Sequence, residues 1–431
     1  MLERLFQLTA HQTSLRTEVV AGITTFLTMS YIIFVNPEIL GTTGMDKNAV
    51  FVATCLAAAL GSLIMALYAN WPIAMAPGMG LNAFFAFTVV GTMGYSWQQA
   101  LGAVLISGII FMFLTISGIR SWLIAGIPQS LQSAIAAGIG MFLAIIAFST
   151  AGIVVHDDAT IVGLGDLTEP AALYAIFGFF IIATLGALKV RGAILLGILS
   201  VTIVSILLGH NEFHGIVSAP PSLAPTLFQM DIVGVFQTGF VHVILVLVLV
   251  EVFDATGTLV GVAKRAKLIT PGKPNRLGKA LFADSSAIVA GSMLGTSSTT
   301  AYAESASGVI AGGRTGLTAF IVAILFLLAL FFAPLAGSVP GYATAPALLY
   351  VATLMMRELV EVAWDDVVAG TSAALTALAM PLTYSIANGL AFGFISYAVL
   401  KIGSGRLRDL HPATLIVAIL FIIKYAAFPD S

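Results

Sequence analysis

Gly295-Thr296-Ser297-Ser298-Thr299-Thr300-Ala301-Tyr302-Ala303-Glu304-Ser305 sets five consecutive hydroxyl residues and a carboxylate inside an otherwise apolar part of the chain. In a bilayer, irregular backbone is tolerated only where protein or a water-lined cavity satisfies its polar groups. The run therefore reads as a broken membrane helix beside a cavity. Upstream, Asp254 and Asp284 lie in or beside further apolar segments, and no Lys or Arg occurs between Ala280 and Gly313. Ionisable residues at that depth are expensive and mark substrate and proton pathways.

The rest of the chain supplies the membrane. Of 431 residues, 59% are hydrophobic and 9% charged, far below the roughly 25% charged of soluble domains. A net charge of −2 offers no basic surplus for nucleic acid, and the single cysteine, Cys55, excludes an intrachain disulfide. Met1 to Arg16 is polar and lacks the features of a signal peptide, so insertion is expected to rely on the first apolar helix.

Apolar segments fall at 17–40, 48–69, 73–91, 97–119, 130–153, 171–188 and 192–209, then at 238–263, 280–296, 299–311, 315–336, 341–356, 367–382 and 384–400. The expected fold is an all-α polytopic membrane protein of about 14 transmembrane segments, two seven-helix halves whose odd number inverts the second half relative to the first. With the N-terminus cytoplasmic, sixteen of the eighteen basic residues, Arg120 among them, fall on the cytoplasmic side, as the positive-inside rule requires. Lys47 breaks the rule, and Lys424 lies in an extra apolar run, Pro412 to Phe428, whose disposition is left open. The acidic loop around Asp157, Asp158, Asp166 and Glu169 and the Pro-rich one from Gly209 to Gly239 fit the outer face.

Asn82-Ala83-Phe84-Phe85-Ala86 in the third segment echoes Thr300-Ala301-Tyr302-Ala303 in the tenth. Both segments are interrupted, the third by Ala76-Pro77-Gly78-Met79-Gly80. Matched broken segments in two halves point to a midplane binding site. Half-helices are expected from near Leu81 and Tyr302, aiming partly positive N-termini at the cavity.

Glu304 is the first candidate for substrate binding. Arg314 is ten residues on, about 15 Å along a helix, too far for an easy ion pair. Without a cation, a buried carboxylate can take a proton or offer two acceptor oxygens to N–H groups of a neutral ligand. Asp254 is the second candidate, with Glu251 three residues earlier on roughly the same face; a like-charged pair suits proton coupling. Asp284 is a candidate for the same proton, although an Asp near a helix start is often a cap. Asn82 and Thr300 could hydrogen-bond a polar ligand, and Phe84 or Tyr302 could stack on an aromatic one. Of Thr24, Thr25 and Thr28, only one, Thr25, is expected to serve, since membrane Thr usually bonds its own helix carbonyls. Gly163-Leu164-Gly165-Asp166 matches an intramembrane protease signature but sits in a polar loop. The six histidines show no metal spacing, and no phosphate-binding loop implies ATP, so transport is expected to be secondary, driven by a proton gradient without a cofactor.

These residues resemble the nucleobase-cation symporter-2 superfamily, and within it the AzgA-like adenine/guanine/hypoxanthine permeases, most of all the bacterial adenine permeases. The resemblance covers nearly the whole chain. It rests on Thr17-Glu18-Val19-Val20-Ala21-Gly22-Ile23-Thr24-Thr25-Phe26-Leu27-Thr28-Met29, Val35-Asn36-Pro37, Ala76-Pro77-Gly78-Met79-Gly80-Leu81-Asn82-Ala83-Phe84-Phe85, Phe253-Asp254-Ala255-Thr256-Gly257-Thr258-Leu259 and Thr300-Ala301-Tyr302-Ala303-Glu304-Ser305. It implies a uracil-permease-like fold of two inverted repeats: core domain over 17–119 and 238–336, gate domain over 120–209 and 337–403, a cytoplasmic 1–16, an outer loop 210–237 and a tail 404–431. The base would bind between core and gate, with the family's acids falling on Asp254, Asp284 and Glu304. Members often work as homodimers. The expected activity is proton-coupled import of a purine base, adenine first, across the bacterial inner membrane. A guanine/hypoxanthine carrier is the alternative in the same fold, an acid/base hydrolase or cation channel the alternative outside it; acids without basic partners argue against an anion.

Overall fold

The apolar segments fold as helices whose ends carry local caps: the Ser14 hydroxyl accepts from Thr17 N, Asp46 accepts from Ala49 N, and Ser96 closes a reciprocal box with Gln99. The computed structural model describes residues 2–237, 241–268 and 276–427, without the side chains of residues 121, 237, 241, 242, 253, 254, 256 and 427. Among the described residues, eight helices are long and apolar enough to cross a membrane, and shorter apolar helices accompany them at Met79–Thr92, Ala193–Leu207, Val243–Val252, Val367–Leu382 and Pro412–Ala426. The chain is a multi-pass membrane protein. Large apolar side chains such as Phe113, Phe180, Leu207 and Leu382 stay exposed on these helices, as a lipid-facing surface requires.

Helix contacts fall into two sets. In one, Leu15–Met29 packs on Gly316–Ala329 and Ser305–Ile310, and Lys47–Ile64 packs on Gly316–Ala329 and Leu277–Leu294, which also meets Trp97–Ile116. In the other, Gln129–Thr150 packs on Gly341–Met356 and Val367–Leu382, and Ile386–Gly403 packs on Val367–Leu382 and the terminal Pro412–Ala427. The apolar run after Pro412 is thus a helix held to its neighbour, with the Tyr425 hydroxyl donating to Asn388 Oδ1 at 2.8 Å.

Four short strands interrupt the helices: β1 (Met75–Pro77), β2 (Val154–Asp157), β3 (Ile161–Leu164) and β4 (Thr299–Ala301). β2 and β3 form an exposed antiparallel hairpin in the acidic loop, and Gly163 and Leu164 belong to it. β1 and β4 are wholly buried and pair antiparallel, Met75 opposite Ala301, Ala76 opposite Thr300, Pro77 opposite Thr299. The register is extended by Gly78 N donating to Ser298 O at 2.9 Å and Tyr302 N to Ala74 O at 3.0 Å. Each strand is the answer to the other's unsatisfied backbone. The helix after β1 begins at Met79, and the one after β4 at Ser305, not near Leu81 and Tyr302 as expected, because the pairing holds Tyr302 extended. The first continues as a wider π-helical stretch, Phe84–Thr92.

The first helix is broken too, at Ser30 and Tyr31 between Leu15–Met29 and Ile32–Gly41. Glu18 in its first turn accepts from Arg314 N at 2.9 Å and the Thr318 hydroxyl at 2.6 Å, capping the helix Gly316–Ala329. At Gly316 an added Cβ would lie 2.8 Å from the Ala66 Cα and carbonyl carbon and closer still to its oxygen, backbone that cannot yield like a side chain. Gly316→Ala is expected to destabilise by about 1–3 kcal/mol, read as a lower melting temperature in detergent; an unchanged one would show that the backbones do not approach this closely.

Candidate functional site

β1 and β4 gather buried polar groups, several of which have no hydrogen-bond partner. Asn82, one turn past β1, accepts the Ser297 hydroxyl on Oδ1, and its Nδ2 finds no partner. Ser298 Oγ and Thr299 Oγ1 on the facing strand are likewise buried and unpartnered, and so is Thr25 Oγ1 from the first helix. Native proteins leave few such groups, so the three in and beside the strand pair mark a place where a polar ligand or water completes the bonding. Thr24 donates to Val20 O at 2.7 Å and Thr28 to Thr25 O at 2.8 Å. Thr25 is therefore the one of the three left to look outward from its helix, kept close to the half-helix Ser305–Ile310 by Gly308.

Glu304 ends the strand connection at the N-cap position of Ser305–Ile310, yet its side chain makes no cap bond. Oε1 accepts from the Tyr31 hydroxyl at 2.6 Å, a length typical of a charge-assisted O–H···O bond. Arg314 turns away, giving its guanidinium to the carbonyls of Val309 and Gly313. Glu304 is half-buried and Ala303 beside it exposed, although β4 is closed to solvent. The carboxylate thus lies at the margin of the buried strand pair.

Tyr302 is buried with its hydroxyl on Pro77 O at 2.6 Å, locking β1 to β4, and Phe84 is fully buried in the main apolar core. Thr300 donates to Asp284 Oδ1 at 3.3 Å. Glu251 is buried on Val241–Arg265, with Oε1 accepting from Ser107 at 3.2 Å. Its Oε2 faces Ser298, though the two close no hydrogen bond of normal geometry. Asp254 lies on the same helix, and its side chain is outside the described residues.

Asp284 corrects two expectations. It sits in the second turn of Leu277–Leu294, inside the helix, so it is no cap. Nor are the acids without a basic partner: Arg120 Nη2 lies 3.1 Å from Asp284 Oδ2, both side chains 0% exposed. The Arg120 side chain is buried in protein; it also donates to Leu281 O at 3.2 Å and stacks over Phe111, 3.9 Å from the ring centre. The short helix Ile119–Ala125 turns back onto the bundle at Gly118, whose φ of +76° suits glycine, and this folds the guanidinium inward. Asp284 joins Arg120 on one oxygen to Thr300 of β4 on the other.

A family model described as "Permease family" (Xan_ur_permease) matches residues 16–392. The chain belongs to the xanthine/uracil permease family. This permease is 52% identical over 425 residues to the adenine permease AdeP of Escherichia coli (strain K12), covering 98% of the chain and 96% of that protein. It is 42% identical over 428 residues to the guanine/hypoxanthine permease PbuO of Bacillus subtilis (strain 168), covering 97% and 99%. The transmembrane domain of a cyanobacterial bicarbonate transporter, BicA, superposes with a TM-score of 0.63 at 18% identity, covering 94% of the chain and 97% of that domain, which shows a shared fold. As a permease the protein moves its solute and is not an enzyme.

Tyr31, Arg120 and Asn36 of the permease escaped the sequence reading as site neighbours. Asn36 Nδ2 donates to Thr54 at 2.7 Å and Thr296 at 2.9 Å, tying the first helix to the start of the hydroxyl run. An Asn beside a proline, Pro37, in an apolar segment was a readable signal; a single Tyr among ten was not.

Proposed function

We propose that the permease is a proton-coupled symporter importing a neutral purine base, adenine first, across the bacterial inner membrane. The observation that carries the substrate is the 52% identity to an adenine permease along almost the whole of both chains. The site's chemistry agrees. It offers one half-buried carboxylate, amide and hydroxyl groups, and, among the described residues, no cation beside Glu304, a set suited to the N–H donors and ring-nitrogen acceptors of an uncharged base. In this reading fourteen segments form two inverted seven-helix repeats with the N-terminus cytoplasmic, and the base lies between core and gate. Glu304 and Asp254 accept its N–H groups, Asn82, Thr25 and Thr300 complete the polar lining, and Phe84 or Tyr302 covers the ring. A homodimer belongs to the same proposal through the family resemblance alone.

For the coupling proton we favour Glu251, with Asp254 one turn away as its companion. Glu251 is buried with one oxygen unspent and lies near Ser298, the residue before β4, so protonation there would be felt beside the binding strand and would lower the cost of moving the loaded core past the gate. Asp284, bound to Arg120, is better suited to hold β4 than to shuttle a proton.

The test is uptake of radiolabelled adenine in cells lacking their own purine carriers, with unlabelled adenine, guanine, hypoxanthine and uracil as competitors and with a protonophore. Saturable uptake blocked first by adenine and abolished by the protonophore is expected. Uptake indifferent to the protonophore would remove proton coupling. The second reading, a guanine/hypoxanthine carrier, is favoured by the 42% identity to a permease for those bases; stronger competition by guanine than by adenine would establish it.

A further inference from the structure

We infer that Tyr31 is a specificity-determining residue: by donating to Oε1 of Glu304, it leaves Oε2 as the freer acceptor of the carboxylate and sets the site against bases that present two adjacent N–H donors. The inference rests on the purine reading above and names what discriminates within it. Three observations support it. The Tyr31 hydroxyl donates to Glu304 Oε1 at 2.6 Å, and the phenol is only 1% exposed, so water does not compete for it. Tyr31 stands at the break between Leu15–Met29 and Ile32–Gly41, a position fixed by packing on both sides rather than on a mobile loop. Among the described residues Glu304 Oε2 meets no other side chain, and its carboxylate has only its own backbone N–H for further company.

The consequence follows from the edges of the bases. On 9H-adenine every N–H has an acceptor nitrogen beside it, and hypoxanthine likewise sets N1–H beside a carbonyl. Guanine sets N1–H beside N2–H, the two-donor edge that a carboxylate with both oxygens free binds in parallel. A site with one freer acceptor oxygen and a donor suits the first pattern, and Asn82 Nδ2, buried and unpartnered next to the same strand pair, is a donor of that kind. The second N–H of guanine then has only the lone pair of Oε1 that the Tyr31 bond leaves, weakened as an acceptor and fixed in direction, and a poorly satisfied buried donor is what a polar site rejects most strongly.

The experiment compares wild type with Tyr31→Phe, a change that keeps the ring and removes only the hydroxyl. Labelled adenine uptake is measured with unlabelled guanine or hypoxanthine as competitor. Wild type is expected to be blocked by hypoxanthine at concentrations about ten-fold below those needed for guanine, and Tyr31→Phe is expected to bring guanine to parity, a gain of about ten-fold, the worth of one charge-assisted hydrogen bond. Adenine uptake should change only a few-fold. An unchanged guanine-to-adenine ratio in a variant that still carries adenine overturns the role of Tyr31 and leaves the purine reading intact; equal loss of all bases makes Tyr31 merely structural and also overturns it. Should Tyr31→Phe fail to reach the membrane, the wild-type comparison decides alone, because guanine and hypoxanthine competing equally would show that the second oxygen is open. No adenine uptake by wild type would sink the purine reading itself, and this inference with it.

Discussion

Arg120→Met should be among the least stable single variants of this permease, losing about 3–5 kcal/mol, because it leaves the Asp284 carboxylate charged and unpaired in the interior. Neither side chain of the pair reaches solvent, and they lie 3.1 Å apart. Methionine keeps the apolar length of the arginine stem but removes the guanidinium that stacks over Phe111, so the charge and that stacking are lost together. Arg120→Met combined with Asp284→Leu removes both charges together and is expected to recover most of the loss, since apolar replacement of a buried pair is often neutral or better. Melting of purified protein in detergent measures all three. If Arg120→Met melts with wild type, the pair is not the buried joint described here. The double variant also asks what the pair is for. Without Asp284, Thr300 loses its acceptor on Oδ1, and if the pair's purpose is to hold β4 in register, a well-folded double variant should still import poorly.

How far the sequence led is best judged at these same residues. Segment positions were legible because twenty-odd apolar residues between polar punctuation have few other readings, and both broken segments were legible from Pro, Gly and a hydroxyl run. Their pairing was not. Three-residue strands carry no period to count, and a register joining Ala76 to Thr300 is a tertiary fact. That the Arg120 side chain packs in the interior was not legible, because the positive-inside rule sums charges near helix ends and says nothing of what each charge touches. Its partner lies 164 positions away. Thr25 could be singled out in principle, since its neighbours Thr24 and Thr28 spend their hydroxyls on carbonyls one turn back. Tyr31 offered no such signal, because a tyrosine at a helix break is as good a packing residue as a donor, and only the position of Glu304 decides.

Glu304 separates function from stability most cleanly. In Glu304→Gln the side chain keeps its shape, and its amide oxygen can still accept from the Tyr31 hydroxyl, so melting should stay within about 1 kcal/mol of wild type. What changes is the group turned to the ligand: an NH2 replaces an acceptor oxygen and meets the N–H of the base donor to donor. The site loses a charge-assisted bond and gains a clash of like partners, so adenine uptake at limiting concentration should fall by about 100-fold, combining a bond of about 1.5–3 kcal/mol with an unsatisfied donor. Glu304→Asp keeps the charge but draws it back by one methylene, away from Tyr31, and is expected to retain more uptake than Gln while relaxing the discrimination against guanine. Both are read against the amount of protein in the membrane. A Glu304→Gln permease that carries adenine like wild type would mean that the base makes its decisive hydrogen bonds elsewhere, with Asp254 the first place to look. A variant that loses uptake and melting together would mean that the Tyr31–Glu304 bond serves the fold before it serves the ligand. The half-buried carboxylate, with no cation beside it among the described residues and standing at the edge of a buried strand pair, favours loss of uptake in a protein that is otherwise intact.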